Sequence, residues 1–196
     1  MDPRQARTFD TLRAAVIELA SAKSIDEVSV TELARSAGVT RETFYRHHSS
    51  PVDLLAAVLG AELDELLATT AALPASTGGD RSVFEQPERA LLEHVAAHAA
   101  IYRNALSPHL TARLRDLLTE SIQKQLLGHL RRHPHIAPEV SGRRPDERAQ
   151  AMFAAYAASG TVGAIEAWLV SGDLDDTDAA TQAILAASPE WWLGRA

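Results

Sequence analysis

Arg41, Glu42 and Thr43 follow one another directly behind Thr40. They carry the kinds of group that can read a base edge. An arginine can donate two bonds to guanine, a glutamate can accept from the cytosine amine, and a threonine can offer its methyl to thymine. Arg and Glu on a helix ordinarily form no more than a solvated face, so their surroundings must decide. Residues 29–48 run Ser-Val-Thr-Glu-Leu-Ala-Arg-Ser-Ala-Gly-Val-Thr-Arg-Glu-Thr-Phe-Tyr-Arg-His-His. Ser29 can cap a first short helix, with Glu32 on the capping-box position. Leu33 and Ala34 face inward, and the small Ala34 admits a close neighbour. Gly38 suits the left-handed backbone that stops a helix without a Cβ clash. Val39 is an apolar plug. Thr40 caps a second helix, Arg41 to Arg46, with Phe44 on its buried side. Two capped helices joined by a tight turn form a helix-turn-helix, which presents its second helix to the DNA major groove. Thr40 can also hold a phosphate at that helix start, and Thr31 offers a hydroxyl from the first turn of the preceding helix. Arg46 is either solvated or paired with Glu42 four residues back.

Other side chains suggest less. His94 and His98 have the spacing of two metal ligands on one helix, but Val-Ala-Ala between them lacks the glutamate base of a zinc hydrolase. His129, His133 and His135 gather at a helix end, where polar or cationic residues ordinarily complement the helix dipole. The chain has no cysteine, which excludes disulfides, thiolate metal sites and thiol catalysis. No Gly-rich phosphate loop, nucleophile elbow or paired carboxylates stand out. No catalytic residue, metal or cofactor is expected, and the chain is not expected to be an enzyme.

The elements that must position these residues are helical. Ala, Leu, Glu and Arg dominate the 196 residues and aromatics are 5%, an all-α composition. A first helix is expected over about 4–22, with Phe9, Leu12, Val16 and Leu19 as its apolar stripe. A long helix follows Ser50, its N-cap, with Pro51 in the first turn and Asp53 on the capping-box site, and runs to about Leu73. Pro74 to Pro87 is a loop by its Pro, Gly, Ser and Thr content. Helices are then expected over about 88–105, 108–133, 145–170 and 177–187, with a Pro/Gly/Arg-rich break between the second and third. The apolar stretch 151–169 is rich in Ala and contains Gly160 and Gly163. Glycine within a helix costs roughly 1 kcal/mol relative to alanine, so both should have a packing reason. The N-terminus lacks an apolar signal core and no run approaches a membrane span, so a cytoplasmic protein is expected.

Net charge is −7, which does not by itself suit a DNA binder. Its distribution is uneven: residues 1–56 carry seven basic and eight acidic residues, and the remainder twelve and eighteen. Arg35, Arg41 and Arg46 face only Glu42 within 35–48. The positive footprint is local, and the salt dependence of binding should be shallow.

The Ala-Gly-Val-Thr turn, Arg41-Glu42-Thr43-Phe44-Tyr45, Ser50 and Leu54-Leu55 together resemble the N-terminal domain of the TetR/AcrR family of transcriptional regulators, over about residues 4–58. The resemblance implies an all-α fold. A helix-turn-helix DNA-binding domain over 1–49 would be followed by a helical effector-binding and dimerisation domain over 50–196. It implies phosphate contacts from Tyr45 and His47. It also implies a homodimer through about 147–187 and an effector cavity in the second domain. Polar or aromatic candidates for that cavity are His98, Tyr102, Arg103, Gln123, Phe153 and Tyr156; Phe153 and Tyr156 would equally serve as core packing. With so few aromatics, an aliphatic or acyl effector is preferred to a flat cation caged by rings. The chain departs from the family at His48, usually an aromatic, at Pro51, usually lysine, and at Ser24, usually glycine. The expected function is a ligand-responsive repressor that binds a palindromic operator as a dimer and is released by a small-molecule effector. The rival is a helical small-molecule-binding dimer that has lost operator recognition.

Overall fold

The computed structural model describes residues 3–71 and 84–189. The helices are α1 (Pro3–Ala22), α2 (Val30–Ser36), α3 (Arg41–Tyr45), α4 (Pro51–Ala71), α5 (Glu85–Ala97), α6 (Ala99–Asn104), α7 (Ala112–Arg132), α8 (Glu147–Ser171) and α9 (Thr177–Ala187), with a short 3₁₀ turn at Ile25–Glu27. No strand occurs among the described residues; isolated bridges close two turns, Leu106 with Leu110 and Val140 with Arg143. The fold is all-α. It divides into two compact units, one of residues 1–62 and 98–114, the other of 63–97 and 115–196.

In the first unit α1 packs on α2 and α6, and α2 on α3. Leu12, Val16, Leu33, Phe44, Leu54, Leu55, Leu59, Ile101 and Tyr102 are buried, each contributing roughly 1.5–3 kcal/mol through apolar burial. The buried stripe of α1 is Leu12, Ala15, Val16 and Ala20. Leu19 is half-buried, and Phe9 is exposed instead of completing the stripe. Asn104 secures the other end of α1: its amide donates to the carbonyls of Ala20 and Ser21, each at 3.0 Å. Those carbonyls lie in the last turn, where helix carbonyls lack intrahelical donors.

The helix expected over 88–105 is in fact two. His98 leaves helical geometry (φ −106°, ψ 26°) and begins α6. Its carbonyl accepts from Ile101 and Tyr102, while its ring meets Glu62 at 2.7 Å. Arg13 donates to the same carboxylate at 2.7 Å. Segment 98–114 therefore belongs to the first unit, which reaches well beyond residue 49. The helix expected from Pro108 starts at Ala112, because Thr111 N–H turns back to the Ala105 carbonyl and Ser107 N–H to that of His109.

In the second unit α9 packs against both α5 and α8. Leu118, Ile122, Leu126 and Leu130 of α7 repeat every four residues and are all buried. Asp146 caps α8 by accepting from Ala149 N–H at 2.8 Å, and Asp176 caps α9 by accepting from Ala179 N–H at 2.8 Å. Gly172 (φ 84°) ends α8 in the left-handed region. Of the loop expected over 74–87, residues 74–83 lie outside the described residues, and Glu85 to Pro87 are already helical. Proline is tolerated there because first-turn N–H groups have no intrahelical acceptor.

α8 is also long and apolar enough to cross a membrane by length and composition, contrary to the expectation that no run approaches a span. Its Glu166 is buried and accepts two bonds from Arg115 at 3.1 Å each. An ion pair and the seat on α9 fit a helix of the bundle. Gly160 and Gly163 have no packing reason within the described chain: a Cβ at either would meet nothing within 4 Å.

Candidate nucleic-acid interface

Local hydrogen bonds fix the helix-turn-helix. Ser29 Oγ accepts from Glu32 N–H at 3.1 Å. The reciprocal half of the expected capping box is replaced: Lys23 Nζ holds the Glu32 carboxylate at 2.9 and 3.0 Å. That ammonium lowers the carboxyl pKa. At the end of α2, Gly38 (φ +67°) lets Val39 N–H reach the Ala34 carbonyl at 2.9 Å and its own N–H reach that of Arg35 at 3.2 Å. This is the Schellman pairing, which satisfies two orphan carbonyls and fixes the turn. Thr40 Oγ1 accepts from Thr43 N–H at 3.1 Å and lies 2.9 Å from the Thr43 hydroxyl. Phe44 is fully buried beneath α3.

Burying Phe44 turns the rest of α3 outward. Thr40, Arg41, Glu42, Tyr45, Arg46 and His47 are exposed and Thr43 is half-buried; Thr31 is exposed on α2. Tyr45 stays 52% exposed while its ring meets Phe44 edge-on at 5.6 Å between centroids. Arg46 lies 3.6 Å from Glu42, both in solvent. A pair so exposed contributes little to stability and leaves both groups available to a partner. All eight residues singled out in the sequence for DNA contact therefore lie on the two helices or directly beside α3.

His48, where the family has an aromatic, still fills an aromatic's place. It is half-buried with its ring 6.0 Å from Phe44. Burial lowers its pKa first and His47 adds to this, against Asp53. It packs as a neutral ring. Asp53 is engaged by Ser49 and Ser50, whose hydroxyls lower its pKa, with Arg113 adding to the effect. Ser50 Oγ also accepts from Asp53 N–H, so α4 has its expected cap despite the loss of lysine at Pro51.

The six effector candidates do not converge in either unit. His98, Tyr102 and Arg103 lie in the first unit; Gln123, Phe153 and Tyr156 in the second. Tyr102 is fully buried, its hydroxyl pKa raised by burial first and by Glu62 second. Arg103 is exposed, and Gln123 and Phe153 are half-buried. Tyr156 is 76% exposed on α8, so it is not core packing. The spacing of aromatic and polar residues could not reveal this, because the break at His98 changes which unit each belongs to. Sequence reasoning missed Glu88, which is 4% exposed with its pKa raised to about 7 by burial. A glutamate in the first turn of a helix ordinarily complements the dipole and attracts no notice.

Residues 12–58 match the family described as bacterial regulatory proteins, tetR family. That segment, which holds the helix-turn-helix, is similar to the N-terminal domain of that family. None of the curated proteins matches its sequence. Solved structures share the fold over nearly the whole chain. The fatty acid degradation regulator FadR from Bacillus halodurans has a TM-score of 0.62 at 13% identity, covering 92% of this chain and 100% of its own. The TetR family repressor AlkX from Dietzia, implicated in biodegradation of n-alkanes, has a TM-score of 0.57 at 15% identity, covering 92% and 96%. The dihydroxyacetone kinase operon activator DhaS has a TM-score of 0.58 at 13% identity, covering 92% and 95%. The helix-turn-helix segment and the shared fold are both of the kind found in bacterial regulatory proteins.

Proposed function

We propose that this chain is a ligand-responsive repressor that acts in the cytoplasm and binds a palindromic operator as a homodimer. The observation that carries this reading is the exposed polar face of α3 above a fully buried Phe44. Arg41, Glu42 and Thr43 read base edges in the major groove. Thr31, Thr40, Tyr45, Arg46 and His47 hold the flanking phosphates, positioning the helix. The dimer forms through α8 and α9. Met152, Tyr156 and Val170 stand exposed on α8, and Ser159, Gly160 and Ala164 lie beside Ile184 and Ala187 of α9 along one open groove. Apolar and small residues left in solvent support an interface. An effector in the second unit binds the form with misplaced recognition helices more tightly than the DNA-bound form, since only such a difference can release the operator.

Selection of genomic fragments on the purified protein, with footprinting of the best, tests this reading. The expected result is a protected palindrome with half-sites roughly 34–36 Å apart, one helical turn. No enrichment at low salt would overturn it.

A further inference from the structure

The cleft between Leu67 of α4, Phe84 and Pro87 at the start of α5, and Ile122 and Leu126 of α7 is apolar except at two points. One is the amide of Gln125. The other is the carboxyl of Glu88, whose Oε1 is buried with no hydrogen-bond partner. The cleft holds a cavity of about 30 Å³ within some 320 Å³ of unfilled space, counting its mouth. By this measure the cavity proper is roomy enough for a group the size of a water or an ammonium, and a longer ligand body would extend into the mouth.

A lone buried carboxyl is expensive, because its charge is desolvated without compensation. The second unit shows how this chain otherwise deals with such a group: buried Glu166 receives Arg115. Among the described residues nothing comparable reaches Glu88. The charged groups nearby are engaged elsewhere: Arg89 pairs with Glu85 and Asp178, and His129 packs its ring on Phe84 at 4.6 Å. Burial alone raises the Glu88 pKa, with no charged neighbour contributing. What the cleft lacks is a small cation delivered on an apolar body.

We propose that this cleft binds an alkyl amine, its ammonium donating to Glu88 and its chain lying along Leu67, Phe84, Leu91, Ile122 and Leu126. The inference rests on the effector-responsive reading above and names the chemistry of the effector. It also amends the preference for acyl ligands: the aliphatic body stands, and the polar end is a donor, not an acid. Binding converts protonated Glu88 to the carboxylate, so the proton it holds near neutral pH passes to buffer as the ammonium arrives.

The test uses the full-length protein and primary alkylamines of four to eight carbons, with alcohols of equal length as neutral controls. Calorimetry at pH 7 in two buffers of different ionisation enthalpy should show binding of an amine with proton release. The matching alcohol should bind more weakly and release none. Glu88→Gln should weaken the amine by about tenfold or more, as loss of a charged hydrogen bond does, and leave the alcohol unchanged. Glu88→Leu should abolish amine preference in a chain at least as heat-stable as the parent, which guards against misfolding. Equal affinity for amine and alcohol, or an unchanged amine affinity in Glu88→Gln, would overturn the assignment. Operator release is read separately by fluorescence anisotropy. An amine that binds through Glu88 without releasing operator leaves the cleft assignment standing and defeats the effector reading. An operator released by ligands indifferent to Glu88 does the reverse.

Discussion

The exposed face of α3 and the exposed face of α8 are both left uncovered by their own chain, yet they are built in opposite ways. On α3 the exposed side chains are Arg41, Glu42 and Tyr45, with Arg46 at its C-cap, and one aromatic, Phe44, is sunk beneath them. On α8 the exposed side chains include Met152, Tyr156 and Val170, while the buried face holds a charge, Glu166, matched by Arg115. A polar face over an apolar anchor can meet a hydrated, charged surface. An apolar face over a satisfied polar pair is suited to another apolar face. The contrast shows that the partner's chemistry is legible in what a helix leaves outside, and only when the inside is already accounted for.

The comparison breaks most severely at Phe44. Phe44→Ala should cost about 3–5 kcal/mol, the range for a fully buried aromatic. Chemical denaturation should show the first unit lost and operator binding gone with it. Tyr156→Asp places a charge on the apolar face of α8 and should weaken dimerisation by about 2–4 kcal/mol, as removal of a central interface aromatic does. Analytical ultracentrifugation should find monomer with an unchanged helical spectrum; an undiminished dimer would show that α8 faces solvent. Arg41→Ala sharpens the contrast, since it should remove about 1–3 kcal/mol of specific binding and leave dimerisation and melting temperature as they were. Equal operator affinity in the variant would remove Arg41 from the interface.

The smallest effect concerns acidity in the second unit. Burial, reinforced by His133, Arg132 and His135, holds His129 at about 4, below its ordinary 6.5. The unfolded chain therefore takes up the proton first as pH falls. The stability tied to neutral His129 is complete above about 6.5 and declines toward pH 4. His129→Gln should flatten that part of the melting-temperature profile by a few degrees at most, because the ring is only half-buried and solvent screens it.

Local signals explain what the sequence disclosed. Ser29, Gly38, Thr40 and Ser50 each act on neighbours within a few residues, and each does in the structure what its type and position imply. The exposure of the DNA-contact candidates followed because α3 is short and Phe44 fixes its orientation. What failed was non-local. His98 breaks a helix whose periodicity runs smoothly through it, and its ring meets Glu62, thirty-six residues away. That contact puts Tyr102 and Arg103 in the first unit, while Gln123, Phe153 and Tyr156 belong to the second. Glu88 was invisible for a related reason: its isolation depends on Leu67 and Leu126, which no local pattern connects to it. The helix starting at Glu85 instead of after Pro87 is a smaller miss, and came from treating proline as a stop where it is tolerated.

If α3 enters the major groove as proposed, the pairing of Glu42 with Arg46 on its outer face bears on how the protein would spend its time on a chromosome. A carboxylate carried into the groove repels phosphate at every position along the duplex, so random sites are held weakly and left quickly. Where Glu42 meets a cytosine amine, the repulsion is offset by a bond that few sequences supply. Competing sites number roughly 10⁶–10⁹ in a genome. A regulator whose recognition helix is partly self-neutralised in this way would give up grip everywhere to gain contrast at one address. Few copies would then suffice to keep that address occupied.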